Sequence, residues 1–126
     1  MSRILLVEDN KLSQKMMFYT LKRVGLSTDI ADDGKMAIDM AKSLQYDLIL
    51  MDIMMPEYDG YEATRIIRRH EAEDGSKRAF IVGLTSNVYD GERAKCIEAG
   101  MDEYLPKPFD VDRFMDMMRQ YNVISV

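Results

Sequence analysis

Three acids, one hydroxyl and one ammonium group stand directly at the ends of short apolar runs, although the chain scatters them over most of its length. Glu8 and Asp9 close the first run (RILLV), Asp52 follows DLILM, Thr85 follows FIVGL, and Lys107–Pro108 comes just after Tyr104–Leu105. One acid after such a run means little. Brought together at ~5 Å with an effective dielectric near ~20, three carboxylates repel by ~3 kcal/mol per pair, so the set needs cations. Carboxylate oxygens suit Mg²⁺, which holds one or two of them together with waters and a phosphate. Lys107 supplies a further positive charge. An aspartate in such a set is a nucleophile toward phosphorus and forms an acyl phosphate. With Asp52 phosphorylated and Glu8 and Asp9 ionised, the pocket carries about −4. A divalent ion and Lys107 reduce this to about −1, against about −3 without the metal, so phosphoryl transfer to Asp52 is expected to depend on Mg²⁺.

These residues act together only if the chain aligns the ends of the runs. Arg3–Glu8 reads as a strand, Thr28–Ala31 as a short one, and Asp47–Met51 as a strand too apolar to have a wet face. Phe80–Leu84 is another buried strand and Tyr104–Leu105 belongs to a last one. Helical spacing over Lys11–Val24 places Leu12, Met16, Thr20 and Leu21 on one side, with Gly25 as terminator. Gly34–Leu44 carries Met36, Ala37, Met40, Ala41 and Leu44 on one face, and Tyr61–Arg69 turns Ala63, Ile66 and Ile67 inward. Ala72–Arg78 reads as a polar loop around Gly75. Asp90 is expected to cap a helix ending at Gly100, and Asp110 a final helix stapled by Phe109 and Phe114. Strands alternating with helices imply an α/β fold, a doubly wound parallel sheet in which right-handed crossovers place helices on both faces. Ligands then bind beyond the carboxyl ends of the strands, at the switch point, where these residues gather.

The 126 residues make one domain, expected to span 1–126 with no output domain. A net charge of −5 argues against a nucleic-acid binder held by phosphate contacts. No apolar run is long enough to span a membrane and no signal-peptide pattern opens the chain, so a cytoplasmic protein without membrane insertion is expected. Cys96 is alone and reads as a buried thiol, and His70, the one histidine, reads as an exposed structural residue among charges. Twelve methionines fill the core or, at Met16–Met17 and at Met115, Met117 and Met118, offer adaptable contact surface.

Glu8–Asp9–Asn10, Met51–Asp52, Met55–Pro56 with Gly60, Leu84–Thr85–Ser86, and Tyr104 with Lys107–Pro108–Phe109 resemble the response-regulator receiver domains of two-component signalling, in order and over essentially the whole chain. The resemblance implies a flavodoxin-like (βα)5 fold with a five-stranded parallel sheet in the order 2-1-3-4-5; a chemotaxis receiver is itself a standard example of that fold. It implies that Asp52 accepts a phosphoryl group from a histidine kinase or histidine phosphotransfer protein in a phosphorelay. It also implies that Asp9, Asp52 and the Met54 backbone carbonyl bind Mg²⁺, with Glu8 helping through water. Lys107 would contact the phosphoryl group, and the Lys107–Pro108 bond would be cis. Thr85 would move onto the phosphoryl group with Tyr104 swinging inward behind it. Ser86 would guard access, and Met54 and Asn87 would tune phosphoryl loss. The region from Pro56 to Thr64 and the longer loop near Gly75 resemble receivers of hybrid kinases.

The resemblance further implies a signalling module that assists its own phosphorylation rather than an enzyme. A downstream protein would read the Asp90–Gly100 helix, the Tyr104 strand and the Asp110–Tyr121 helix. Plainer readings exist for single residues: Glu8 and Asp9 as helix caps, Tyr104 as a static core aromatic. Among whole-protein alternatives, a flavin binder would want a Ser/Thr/Gly-rich phosphate cradle where Glu8–Asp9 stand. A phosphatase of the haloacid dehalogenase type would want an acid where Met54 stands. A receiver-like docking module that is never phosphorylated would be expected to lack an acid or the lysine.

Overall fold

Alternation of side chains along each strand decides which face every helix must cover. The computed structural model describes residues 2–87 and 91–124. Its elements, in chain order, are β1 (Ile4–Val7), α1 (Lys11–Arg23), β2 (Thr28–Ala31), α2 (Gly34–Ser43), β3 (Leu48–Asp52), α3 (Gly60–Asp74), β4 (Phe80–Thr85), α4 (Glu92–Ala99), β5 (Glu103–Pro106) and α5 (Val111–Tyr121). The strands form one parallel sheet in the order β2-β1-β3-β4-β5, as the resemblance implied. Leu5, Val7, Ile49, Met51 and Ile81 point to one face and pack with Ala37 and Ile38 of α2, Ala63 and Ile67 of α3 and Cys96 of α4. Ile4, Leu6, Leu48, Leu50, Val82 and Leu84 point to the other and pack with Met17 and Leu21 of α1 and Phe114, Met115 and Met118 of α5. A strand with both faces covered has no place for polar side chains, which is why β1 and β3 read as unbroken apolar runs.

Local chemistry fixes where the helices begin. Asn10, Asp33 and Asp59 each accept a hydrogen bond from the backbone N–H three residues on, opening α1, α2 and α3. Asp110 accepts from the N–H groups of Asp112 and Arg113, and the rings of Phe109 and Phe114 lie 5.4 Å apart, so the expected cap and staple are both present. The Asp90 cap falls outside the described residues; Gly91 is the N-cap of α4 and gives no side-chain hydrogen bond.

Three helices differ from the sequence reading. The buried stripe of α1 is Gln14, Met17 and Leu21, whereas Leu12 and Met16 are 68% and 62% exposed. The group joined by apolar spacing is split, Leu21 buried and Leu12 and Met16 exposed, because a polar residue, Gln14, holds a core-facing position. α3 runs on through Ala72 to Asp74, where a loop was expected, and ends at Gly75 with φ 69°. The Arg68–Glu71 pair at 2.8 Å supports that polar last turn, and the left-handed glycine stops it. On α2 a smaller difference appears: Met36 and Leu44 stay 38% and 39% exposed, and Ile38 is buried instead.

Candidate functional site

The register assembles the site. Val7 pairs with Met51, so Glu8 comes level with Asp52; Asp52 pairs with Leu84, and Thr85 with Pro106, which brings Lys107 to the same edge. Carboxylate oxygens of Glu8, Asp9 and Asp52 lie within 4.8 Å of one another, Glu8 and Asp52 buried and Asp9 exposed. The Lys107 ammonium donates to Asp52 Oδ1 at 3.0 Å and to Glu8 Oε2 at 3.3 Å. Backbone N–H groups also donate to the acids, Met54 to Asp52 Oδ1 at 3.3 Å and Asn10 to Glu8 Oε1 at 3.1 Å.

Burial pushes the Asp52 carboxyl up to about 6 and the Glu8 charge adds to this, while Lys107 and the Met54 N–H pull the other way. Burial pulls the Lys107 ammonium down, but its pairs with Asp52 and Glu8 outweigh that and hold it above its ordinary value. One ammonium therefore falls short of compensating the buried acids. The donor set is hard, anionic oxygen, with one member open to solvent and the others desolvated: it fits a small divalent cation at the mouth of the crevice.

The neighbouring residues are placed by the same strand ends. The Thr85 hydroxyl is buried and accepts from the Asn87 N–H at 3.0 Å, which holds it at the end of β4. Lys107 N–H donates to the Thr85 carbonyl at 2.7 Å, and the Lys107–Pro108 peptide is cis, as the resemblance implied. Met54 is 64% exposed, and Ser86 and Asn87 are exposed on the rim. Tyr104 is partly buried against the α3–α4 side of the core. Gly60 closes the floor: a Cβ there would sit 2.5 Å from the Asp52 carbonyl oxygen and 2.8 Å from Ile53 Cα.

Outside the site, Cys96 is where the sequence placed it, whereas His70 is half-buried rather than exposed, its side chain 26% accessible. Cys96 is buried, and burial pushes its thiol up to about 11, so it is inert. His70 lies late in α3 beside Asp74, at 4.0 Å. No helix among the described residues is long and apolar enough to cross a membrane.

Sequence reasoning missed Gln14 and anticipated only part of a second feature, the contact surface at Met16. Gln14 is buried and donates to both the Glu8 carbonyl and Asp32; a glutamine at a core-facing helical position was the available signal. Leu12, Met16 and Tyr19 form an exposed apolar face on α1, 58% to 68% accessible. Beside it a groove of about 390 Å³ runs along Met16, Met17, Thr20 and Phe109 to Glu8 and Lys107.

The chain matches a family model, Response regulator receiver domain, over residues 4–119. It is 37% identical over 126 residues to hybrid signal transduction histidine kinase G of Dictyostelium discoideum, a match covering 98% of this chain and 4% of that protein. The chain spans only a small part of its curated relatives, at most 15% of those compared. Among solved structures, the receiver domain of sensor histidine kinase PA1611 from Pseudomonas aeruginosa, with a magnesium ion coordinated in the active-site cleft, is 38% identical with a TM-score of 0.83, over 95% of this chain and 96% of that one. The receiver domain of Arabidopsis thaliana histidine kinase CKI1, complexed with Mg²⁺ and BeF3⁻, is 32% identical with a TM-score of 0.85, over 96% and 89%. The Saccharomyces cerevisiae complex of the phosphotransfer protein Ypd1 with the Ssk1 receiver domain gives 26% identity and a TM-score of 0.89, over 98% and 92%. A sheet edge that concentrates acids around one aspartate, and a family match over nearly every residue that builds it, lead to one conclusion: the chain belongs to the response regulator receiver domains of two-component signalling.

Proposed function

We propose that this receiver takes a phosphoryl group on Asp52 from a phosphohistidine of a kinase or phosphotransfer protein, with Mg²⁺ bound, and signals by changing its protein contacts. The observation that carries the reading is the buried Asp52 carboxylate, set among Glu8, Asp9 and Lys107 at the ends of three strands and beside the fourth. Asp9, Asp52 and the Met54 carbonyl would hold the ion directly, with Glu8 acting through water. When bound, Mg²⁺ neutralises charge on the transferring group and on the acids around it.

The remaining steps belong to the chain's own residues. An Asp52 carboxylate oxygen attacks phosphorus in line, the P–N bond to the donor imidazole breaks, and the imidazole leaves with its electron pair. Lys107 follows the charge, turning from the carboxylates to a phosphoryl oxygen. Thr85 exchanges its bond with Asn87 for one to the phosphoryl group, and Tyr104 moves into the space behind it. A hydrogen bond to a charged acceptor is worth ~1.5–3 kcal/mol, which shifts a two-state balance by about 10- to 150-fold. Ser86 limits access to the phosphoryl group, and the exposed Met54 and Asn87 on the rim set how readily water removes it.

The apolar face of α1, with its groove ending at Lys107, supports delivery by a partner that lays a helix there and aims its histidine into the crevice. Beryllofluoride, a tetrahedral stand-in for the phosphoryl group, tests the site without a cognate donor. Calorimetry should show it binding once per chain, only with Mg²⁺ present and only with Asp52 intact. Binding by Asp52→Ala, or none by the parent, would contradict the proposal.

A further inference from the structure

The acids that gather the charge come from one peptide, Glu8–Asp9, at the very end of β1, where the sheet stops supporting the backbone. The ladder between β1 and β2 runs one bond past the strands, with Glu8 N–H donating to the Ala31 carbonyl at 3.2 Å. The next bond in a parallel ladder would take the Glu8 carbonyl to the N–H of residue 33. Asp33 has instead turned away to cap α2. The side-chain amide of Gln14 fills that gap, donating to the Glu8 carbonyl at 2.6 Å. It also donates to Asp32 Oδ1 at 2.7 Å, and Lys11 donates to the same oxygen at 2.7 Å. Gln14 itself is 6% exposed and sits on the core-facing stripe of α1, so its amide cannot wander. Asn10 completes the frame by capping α1 through Ser13 N–H while its own N–H holds Glu8 Oε1.

We infer that Gln14 is a positioning residue for the cation site: by clamping the Glu8 carbonyl to Asp32 it fixes the peptide that carries Asp9. The inference rests on the proposed Mg²⁺ reading. An amide with two donors is what the gap requires, one for each acceptor. Leucine or methionine would leave the Glu8 carbonyl buried without a partner. Glutamate would set acceptor oxygens against that carbonyl and a second anion against Asp32. With the clamp gone, the Glu8–Asp9 peptide is free to rotate, and the Asp9 carboxylate no longer meets Asp52 at one fixed separation.

Calorimetric Mg²⁺ titration of the parent and Gln14→Met separates this from a purely structural role. Removing groups that orient metal ligands weakens metal binding by about 10- to 100-fold, and a loss of at least ~10-fold is expected here. Labelling by a small acyl phosphate should need correspondingly more Mg²⁺ for half-maximal rate, while the rate at saturating Mg²⁺ stays within about twofold of the parent. A Gln14→Met protein that melts earlier without metal but binds Mg²⁺ as the parent does would overturn the inference and leave the Mg²⁺ reading intact. A parent that takes up no Mg²⁺ would overturn both. Should Gln14→Met fail to fold, Asp32→Ala and Asp32→Asn decide the matter. The alanine, which removes the far anchor, must weaken Mg²⁺ binding more than the asparagine, which keeps an acceptor oxygen; equal effects would overturn the clamp.

Discussion

Asp52→Asn should make the metal-free protein more stable while abolishing its chemistry. The Asp52 carboxyl is 1% exposed and titrates near about 6 instead of the usual 3.8, because burial and Glu8 oppose its charge more than Lys107 supports it. At ~1.4 kcal/mol per tenfold, keeping it ionised in the fold is unfavourable by ~3 kcal/mol above that range. The sign follows from proton counts. Between pH 3.8 and about 6 the native state binds more protons than the unfolded chain, so this contribution to stability falls as pH rises through the window. Below it both states are neutral and the penalty vanishes; above it the penalty is complete. Asparagine keeps the shape and an acceptor for Lys107 without the charge. Urea unfolding without Mg²⁺ should therefore find Asp52→Asn more stable by ~3 kcal/mol at pH 7.5 and by only ~1 kcal/mol at pH 4.5. Saturating Mg²⁺ should erase most of the gap at pH 7.5, because a ligand at a hundredfold its Kd stabilises the form that binds it by ~2.7 kcal/mol. An asparagine variant no more stable than the parent, or a difference unchanged by pH, would refute the electrostatic account of the site.

Gly60→Ala forces a Cβ against the Asp52 carbonyl and Ile53 backbone, so urea unfolding should show a loss of ~1–3 kcal/mol and calorimetry weaker Mg²⁺ binding. Met16→Glu, on the exposed face of α1, should leave stability within ~0.5 kcal/mol. The same variant should slow phosphoryl transfer from a phosphohistidine protein at least tenfold and leave labelling by a small acyl phosphate unchanged; equal effects on both donors would exclude docking on that face. Asp110→Ala removes the acceptor for two α5 N–H groups and should lower stability by ~1 kcal/mol in urea, without altering Mg²⁺ affinity.

The sheet and the acid cluster were legible because each rests on a short-range signal: an unbroken apolar run marks a strand buried on both faces, and a parallel sheet aligns whatever follows its strands. The cap at Asp110 and the Phe109–Phe114 staple are equally local. The orientation of α1 was not legible, because Gln14 faces inward for the sake of acceptors contributed by Glu8 and Asp32, which only the folded chain brings to it. The end of α3 was missed for a related reason. Arg68 holds Glu71 within the helix but also the Gly100 carbonyl and Asp102, the latter 34 residues away. Those contacts keep a polar stretch helical whose composition alone reads as loop.

Intact-mass analysis after incubation with a small acyl phosphate tests the central claim most directly. The account predicts one added phosphoryl group, formed only with Mg²⁺ and absent from Asp52→Asn. An unchanged mass in the parent, or the same gain in the asparagine variant, would contradict it.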